Sequence, residues 1–138
     1  MNTVLILKLA SLSYLGLLAA GILMPGVVGL REHLFALPTF VRQLFWVYYA
    51  FIGLSLICFG LGTFLLAEHL ASGTPLARAV CGFLALFWSM RFVAGTFVFD
   101  LRPYLTNCWR RAGLAAANLV FTCLPVVYAW VALKGVSP

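Results

Sequence analysis

Charge is what this chain is short of. Of its 138 residues only 9% are charged, and three are acidic: Glu32, Glu68 and Asp100. None of the three falls in the middle of an apolar run, so the intramembrane carboxylate relay used by small proton-coupled exporters is missing. The four cysteines, Cys58, Cys81, Cys108 and Cys123, include no CxxC pair, which argues against a disulfide framework, a zinc site or dithiol redox chemistry. The two histidines, His33 and His69, flank one long apolar segment. They are expected on opposite membrane faces, roughly 30 Å apart, and cannot jointly hold one haem. There is no HExxH, no nucleophile elbow and no glycine-rich phosphate loop, and no internal repeat or low-complexity tract. No catalytic residue and no metal site is therefore assigned, no cofactor is predicted, and the balance of these absences argues against an enzyme.

Apolar residues fill the space that charge leaves. The chain is 64% hydrophobic, with a mean hydropathy of +1.09. A soluble domain is nearer half apolar and a quarter charged, so this chain holds more oil than its own interior could hide. The bilayer is expected to act as solvent for its outer surface. The net charge of +6 would suggest nucleic acid in a soluble protein. Here the basic residues collect at the ends of apolar segments, where they act as topology determinants and lipid-headgroup contacts. No basic run interleaved with exposed aromatics offers a phosphate track, and nucleic acid is not a partner on this reading.

Four apolar segments reach spanning length: about 3–24, 43–67, 76–99 and 112–133. The fold expected is all-α, a polytopic membrane protein in which one integral-membrane domain over residues 1–138 forms a four-helix transmembrane bundle. Met24-Pro25-Gly26 should break or kink the first helix. Residues 27–37 then form a short interfacial segment between helices 1 and 2, with Leu30, Leu34 and Leu37 on one side and Arg31, Glu32 and His33 on the other. The alternative is that the first helix runs on past a kink into water. Thr74 suits an N-cap, with Pro75 at the first helical position of the third segment, and Pro103 ends that segment. Pro125 removes a donor inside the fourth segment, and the carbonyl it frees needs a partner from a neighbouring helix.

Segment one does not read as a cleaved signal peptide, because Lys8 follows apolar residues and no A-x-A site is evident. Counting Lys and Arg near segment ends places Arg31, Arg42, Arg102, Arg110 and Arg111 on one side and Lys8, Arg78 and Lys134 on the other. That bias puts both termini on the non-cytoplasmic side of a prokaryotic plasma (inner) membrane. Trp46, Trp109 and Trp130 fall where interface anchors belong. Small residues at helical spacing, Gly16 and Ala20, Gly53 and Gly60, Gly113 and Ala117, mark candidate close seams.

One cation breaks the pattern. In "FLALFWSMRFVAGTFVFD" Arg91 sits near the middle of the third segment, roughly 21 Å along the axis from its start at 1.5 Å per residue. A central arginine costs about 2.5–3.5 kcal/mol on insertion scales. It should therefore face the bundle interior and be answered there. Depth matching in an antiparallel neighbour selects Asn118, whose amide carbonyl is an acceptor. Tyr14 lies about a turn away, and Tyr48 and Tyr49 lie toward the five-charge side. Trp88, one turn before Arg91, can hold the cation by its ring face or flank a planar ligand. With Leu84 and Gly95 it forms a stripe that also suits plain helix packing. None of these partners is anionic.

Two readings of Arg91 follow. It is interhelical glue held by neutral acceptors, or its counter-charge comes from outside the chain. On the second reading Arg91, Trp88, Asn118, Tyr14, Tyr48 and Tyr49 bind a lipophilic anionic or carbonyl ligand, a lipid or a quinone, or else a partner helix. The function expected is that of a small accessory or scaffold membrane protein, with membrane lipids as partners and either a homo-oligomer or a larger membrane complex as its setting. The alternatives are a small transporter or channel subunit for an anion, and a membrane redox or lipid-modifying enzyme.

Overall fold

The computed structural model describes residues 2–100 and 102–134 of the chain. Among them every regular element is helical: α1 (Thr3–Val27), α2 (Leu30–Phe35), α3 (Thr39–Leu65), α4 (Ala67–Ala71), α5 (Pro75–Val93) and α6 (Cys108–Lys134). A π-helical turn, Ala94–Val98, prolongs α5, and a 3₁₀ turn, Arg102–Tyr104, precedes α6. Four helices, α1, α3, α5 with its π turn, and α6, are long and apolar enough to cross a membrane. Their outward faces carry large apolar side chains such as Leu15, Ile22, Phe40, Phe51 and Leu76. That surface fits an integral membrane protein.

Local chemistry sets the ends. The Asn2 side chain caps α1 by accepting from the Val4 N–H at 3.3 Å. Thr74 caps α5 in the same way, accepting from Ala77 N–H at 3.3 Å with Pro75 at the first helical position, as the sequence leads one to expect. The first helix does not break at Met24-Pro25-Gly26. It runs to Val27 with Pro25 inside it, and the turn falls at Gly29, whose left-handed backbone (φ 60°) suits glycine. Pro25 cannot donate to the carbonyl of Gly21. The Tyr49 hydroxyl of α3 donates to that carbonyl instead. Among the described residues this cross-helix rescue occurs at Pro25 and not at Pro125, through which α6 continues to Lys134.

The short helix expected over 27–37 is shorter than that. Only Leu30–Phe35 is helical, with Leu34 buried and Arg31, Glu32 and His33 exposed. A second short helix, α4, follows α3 directly and presses Ala67 and Leu70 into the core. The sequence reading had run the second apolar segment through Ala67 without a break.

The long helices pair as α1 with α3 and α5 with α6. Contacts between α1 and α6 join the pairs, and α4 packs on both α1 and α5. The core is one-sided. Its buried residues are Leu7, Ser11, Tyr14 and Leu17 on α1, Gly60 and Thr63 on α3, Ala77, Cys81, Leu84 and Trp88 on α5, and Leu124, Tyr128 and Val131 on α6. They lie in the half that holds Thr3 and Lys134 or, for Leu17 and Trp88, near mid-helix. Toward the other end α3 is exposed or half-exposed from Thr39 to Phe59, and only Leu34 is buried there. The bundle is closed at one end and open at the other.

Candidate functional site

Each of the four long helices contributes one polar side chain to a single buried node. The Trp88 indole N–H donates to the Tyr14 hydroxyl at 2.8 Å. The Tyr14 and Tyr128 hydroxyls are 2.9 Å apart, and Tyr128 meets the Thr63 hydroxyl at 2.8 Å. Trp88 can only donate, so Tyr14 accepts from it. Both phenol protons find an acceptor only if Tyr14 donates to Tyr128 and Tyr128 donates to Thr63. The result is a directed chain from α5 through α1 and α6 to α3. Trp88 and Tyr128 are 1% and 0% exposed, and buried aromatic N–H and O–H groups require such partners.

Glycine makes room for this node. A Cβ on Gly60 would stand 2.9 Å from the Tyr14 Cβ, closer than real Cβ contacts, so α3 passes α1 at this point because its residue has no side chain. The other proposed seams are not used in this way. A Cβ on Gly16, Gly53 or Gly113 meets nothing within 4 Å, because those positions face outward.

Arg91 lies beside the node, not in it. Three residues advance a helix by about 300°, which leaves Arg91 about 60° round α5 from Trp88, at the rim of the buried face. Its side chain is exposed, contrary to the expectation that it points into the bundle. The guanidinium sits 5.2 Å from the centre of the Phe121 ring and 5.6 Å from that of Phe99. Phe121 comes from α6 and stacks its ring on Trp88 at 5.8 Å. Phe99 follows the π turn in extended backbone, which ends the helix beside the arginine. Each ring offers about 0.5–1 kcal/mol at an exposed site and about 2 or more when desolvated. Two rings therefore offset much of the insertion cost of about 2.5–3.5 kcal/mol. Among the described residues they leave the five guanidinium N–H donors without oxygen acceptors. Among the described residues no hydrogen bond joins Arg91 to Asn118, Tyr14, Tyr48 or Tyr49.

The six residues singled out from the sequence thus separate into groups. Trp88 and Tyr14 bond to each other inside the core. Tyr49 is engaged with the Gly21 carbonyl, and Tyr48 is 62% exposed on the outer face of α3. Asn118 is exposed on α6, one turn from Phe121, and lines a groove of about 450 Å³. The groove runs between the π turn and α6, past Gly95, Phe97, Phe99 and Leu114 to Asp100 and Arg102. Arg91 adjoins it through the shared Phe99 ring. A π turn widens a helix locally and often accompanies functional sites.

Tyr128, Thr63, Phe121 and Phe99 were missed. A tyrosine inside an apolar run, as Tyr128 is, signals a hydroxyl that must be paired. Depth matching to Arg91 passed over it because the node lies nearer the opposite end. The two phenylalanines gave no signal, since any ring in an apolar helix resembles packing. Comparison with protein-family models, curated proteins and solved structures yields no match for this chain, so its function has to be argued from these residues.

Proposed function

We propose that the chain is a four-helix transmembrane bundle of a prokaryotic inner membrane, its arginine-rich end cytoplasmic and both termini outside. It serves as an accessory or scaffold protein. Its cationic site at Arg91 takes a lipophilic ligand bearing an anionic or carbonyl oxygen, a lipid or a quinone, or a partner helix presenting the same chemistry. One observation carries the reading: Arg91 and Asn118, on neighbouring helices near mid-span, are both exposed, and among the described residues neither is bonded to a carboxylate. Lipid tails cannot satisfy a guanidinium or an amide. The acceptor has to arrive with something else.

The groove supports a bound ligand because it brings Asn118 and the Arg91-bearing Phe99 wall together within a size suited to one molecule. A conducting path for an anion is the weaker reading. The node and α4 fill the closed end, so a path along Arg91 would have to run between copies of the chain.

Native mass spectrometry of the protein in mild detergent, wild type against Arg91→Leu, tests the proposal. A lipid, quinone or subunit held by the wild type and lost from the variant is the expected result. Identical retained species in both would refute a ligand site at Arg91. An Arg91-dependent anion leak from liposomes would favour transport instead.

A further inference from the structure

The cations at the two ends of the bundle are used differently. At the closed end they tie distant parts of the chain together: the Arg78 Nε donates to the Ala132 carbonyl at 3.1 Å, and Lys134 donates to the Thr3 hydroxyl at 2.9 Å. Lys8 lies over the Phe64 ring at 5.8 Å. At the open end Arg110 and Arg111 make local contacts among the described residues. The Arg110 Nη1 donates to the Tyr104 carbonyl and the Thr106 hydroxyl, both at 3.3 Å, and the Arg111 Nε donates to the Leu105 carbonyl at 3.3 Å.

These contacts orient the two guanidinium groups without neutralising them. Each uses one nitrogen on uncharged oxygen, and the remaining N–H groups of both forks stay available. Arg102 lies on the same connection. The one carboxylate there, Asp100, accepts from the Arg102 backbone N–H at 3.1 Å, and the first turn of α6 has no acid. Beside the two arginines Trp109 is 89% exposed, an indole of the kind that settles at headgroup depth. The groove described above opens next to them, with Arg102 at its rim and Phe97, Val98, Leu105 and Leu114 as walls.

We propose that the connection from α5 to α6 is a docking surface for anionic phospholipid, with the headgroup phosphate held by Arg102, Arg110 and Arg111 and an acyl chain laid along the groove wall. Charge complementarity selects this occupant. Three cations lie near one locally engaged acid, with the exposed Trp109 indole beside them and a groove whose walls include Phe97, Val98, Leu105 and Leu114. A zwitterionic lipid brings the same phosphate together with a cation that this surface repels. The cations that hold the phosphate are distinct from Arg91, while the groove wall is shared with the site proposed there.

The test is a titration of the full-length, delipidated protein with phosphatidylglycerol and with phosphatidylcholine, read by native mass spectrometry. Membrane-surface arginines contribute about 1 kcal/mol each, so the wild type should favour phosphatidylglycerol by roughly tenfold or more. Arg110→Gln/Arg111→Gln should bring that preference close to parity. Lys8→Gln, a cation removed from the closed end, should leave it in place. In the wild type the preference should also fall as salt is raised, which needs no variant to fold. Equal binding of the two lipids by the wild type, a preference indifferent to salt, or a preference surviving in the double variant each overturns the proposal. Displacement of the lipid by inorganic phosphate overturns the acyl-chain half of it.

Discussion

The two ends of this bundle are built from similar helices and behave unlike each other. At the closed end four helices surrender polar side chains to one node, cations staple remote segments, and Gly60 admits Tyr14. At the open end the same four helices expose apolar faces, and one cross-helix hydrogen bond, from Tyr49 to Gly21, ties α3 to α1. Hydrophobicity does not account for the difference, because both ends are oily. Where lipid is as apolar as leucine, burial gives helices little reason to associate, and close approach and hydrogen bonds decide which segments meet. The end that has both is packed. Beyond it the bundle has one such bond and little close approach, and the exposed polar groups at Arg91 and Asn118 lie where the packing gives out.

Three substitutions probe that contrast, beginning with the largest effect. Trp88→Ala removes the donor that starts the node and the ring on which Phe121 stacks. It should cost about 3–5 kcal/mol, seen as a collapse of the thermal transition in detergent. A loss below about 1 kcal/mol would mean that the closed end is not held by this cluster. Next, Gly60→Ala forces a methyl against Tyr14 and should cost about 1–3 kcal/mol, while Gly53→Ala, seven residues back on α3 in open space, should change stability by less than about 0.5 kcal/mol. Equal losses at the two glycines would erase the distinction between the ends. The smallest effect belongs to Tyr49→Phe, which strips the carbonyl freed by Pro25 of its donor. A loss of about 0.6 kcal/mol, the average for interhelical hydrogen bonds, should separate it from a neutral Tyr48→Phe in the same unfolding assay.

The sequence was a good guide to what the membrane dictates and a poor one to what helices dictate to each other. Span lengths, the Thr74 cap and the short helix before α3 follow from hydropathy and capping chemistry that act within a few residues. Arg91 was legible as an anomaly for the same reason. Its orientation was not, because that depends on how far α5 is rotated against α6, a matter settled by Trp88 packing on Phe121. Tyr14 was picked as a partner for Arg91 and turned out to serve Trp88 and Tyr128. Both assignments satisfy a mid-membrane hydroxyl, and only the register of α1 against α6 chooses between them. Pro25 shows the same limit from the other side. The need for a foreign donor was foreseen at Pro125, yet the rescue came at Pro25, where a tyrosine on the adjacent helix stood at the right height.

The node also carries an order of events. Tyr128 is its central link, joined on one side to Tyr14 and on the other to Thr63, and it belongs to α6, the fourth of the long helices in chain order. Until that helix arrives, the threonine and the first tyrosine have no common hydroxyl neighbour, and the Trp88–Tyr14 bond is the only link of the node in place. Docking of α6 and closing of the node are therefore a single moment, and a chain cut short before α6 would lack the link between Tyr14 and Thr63.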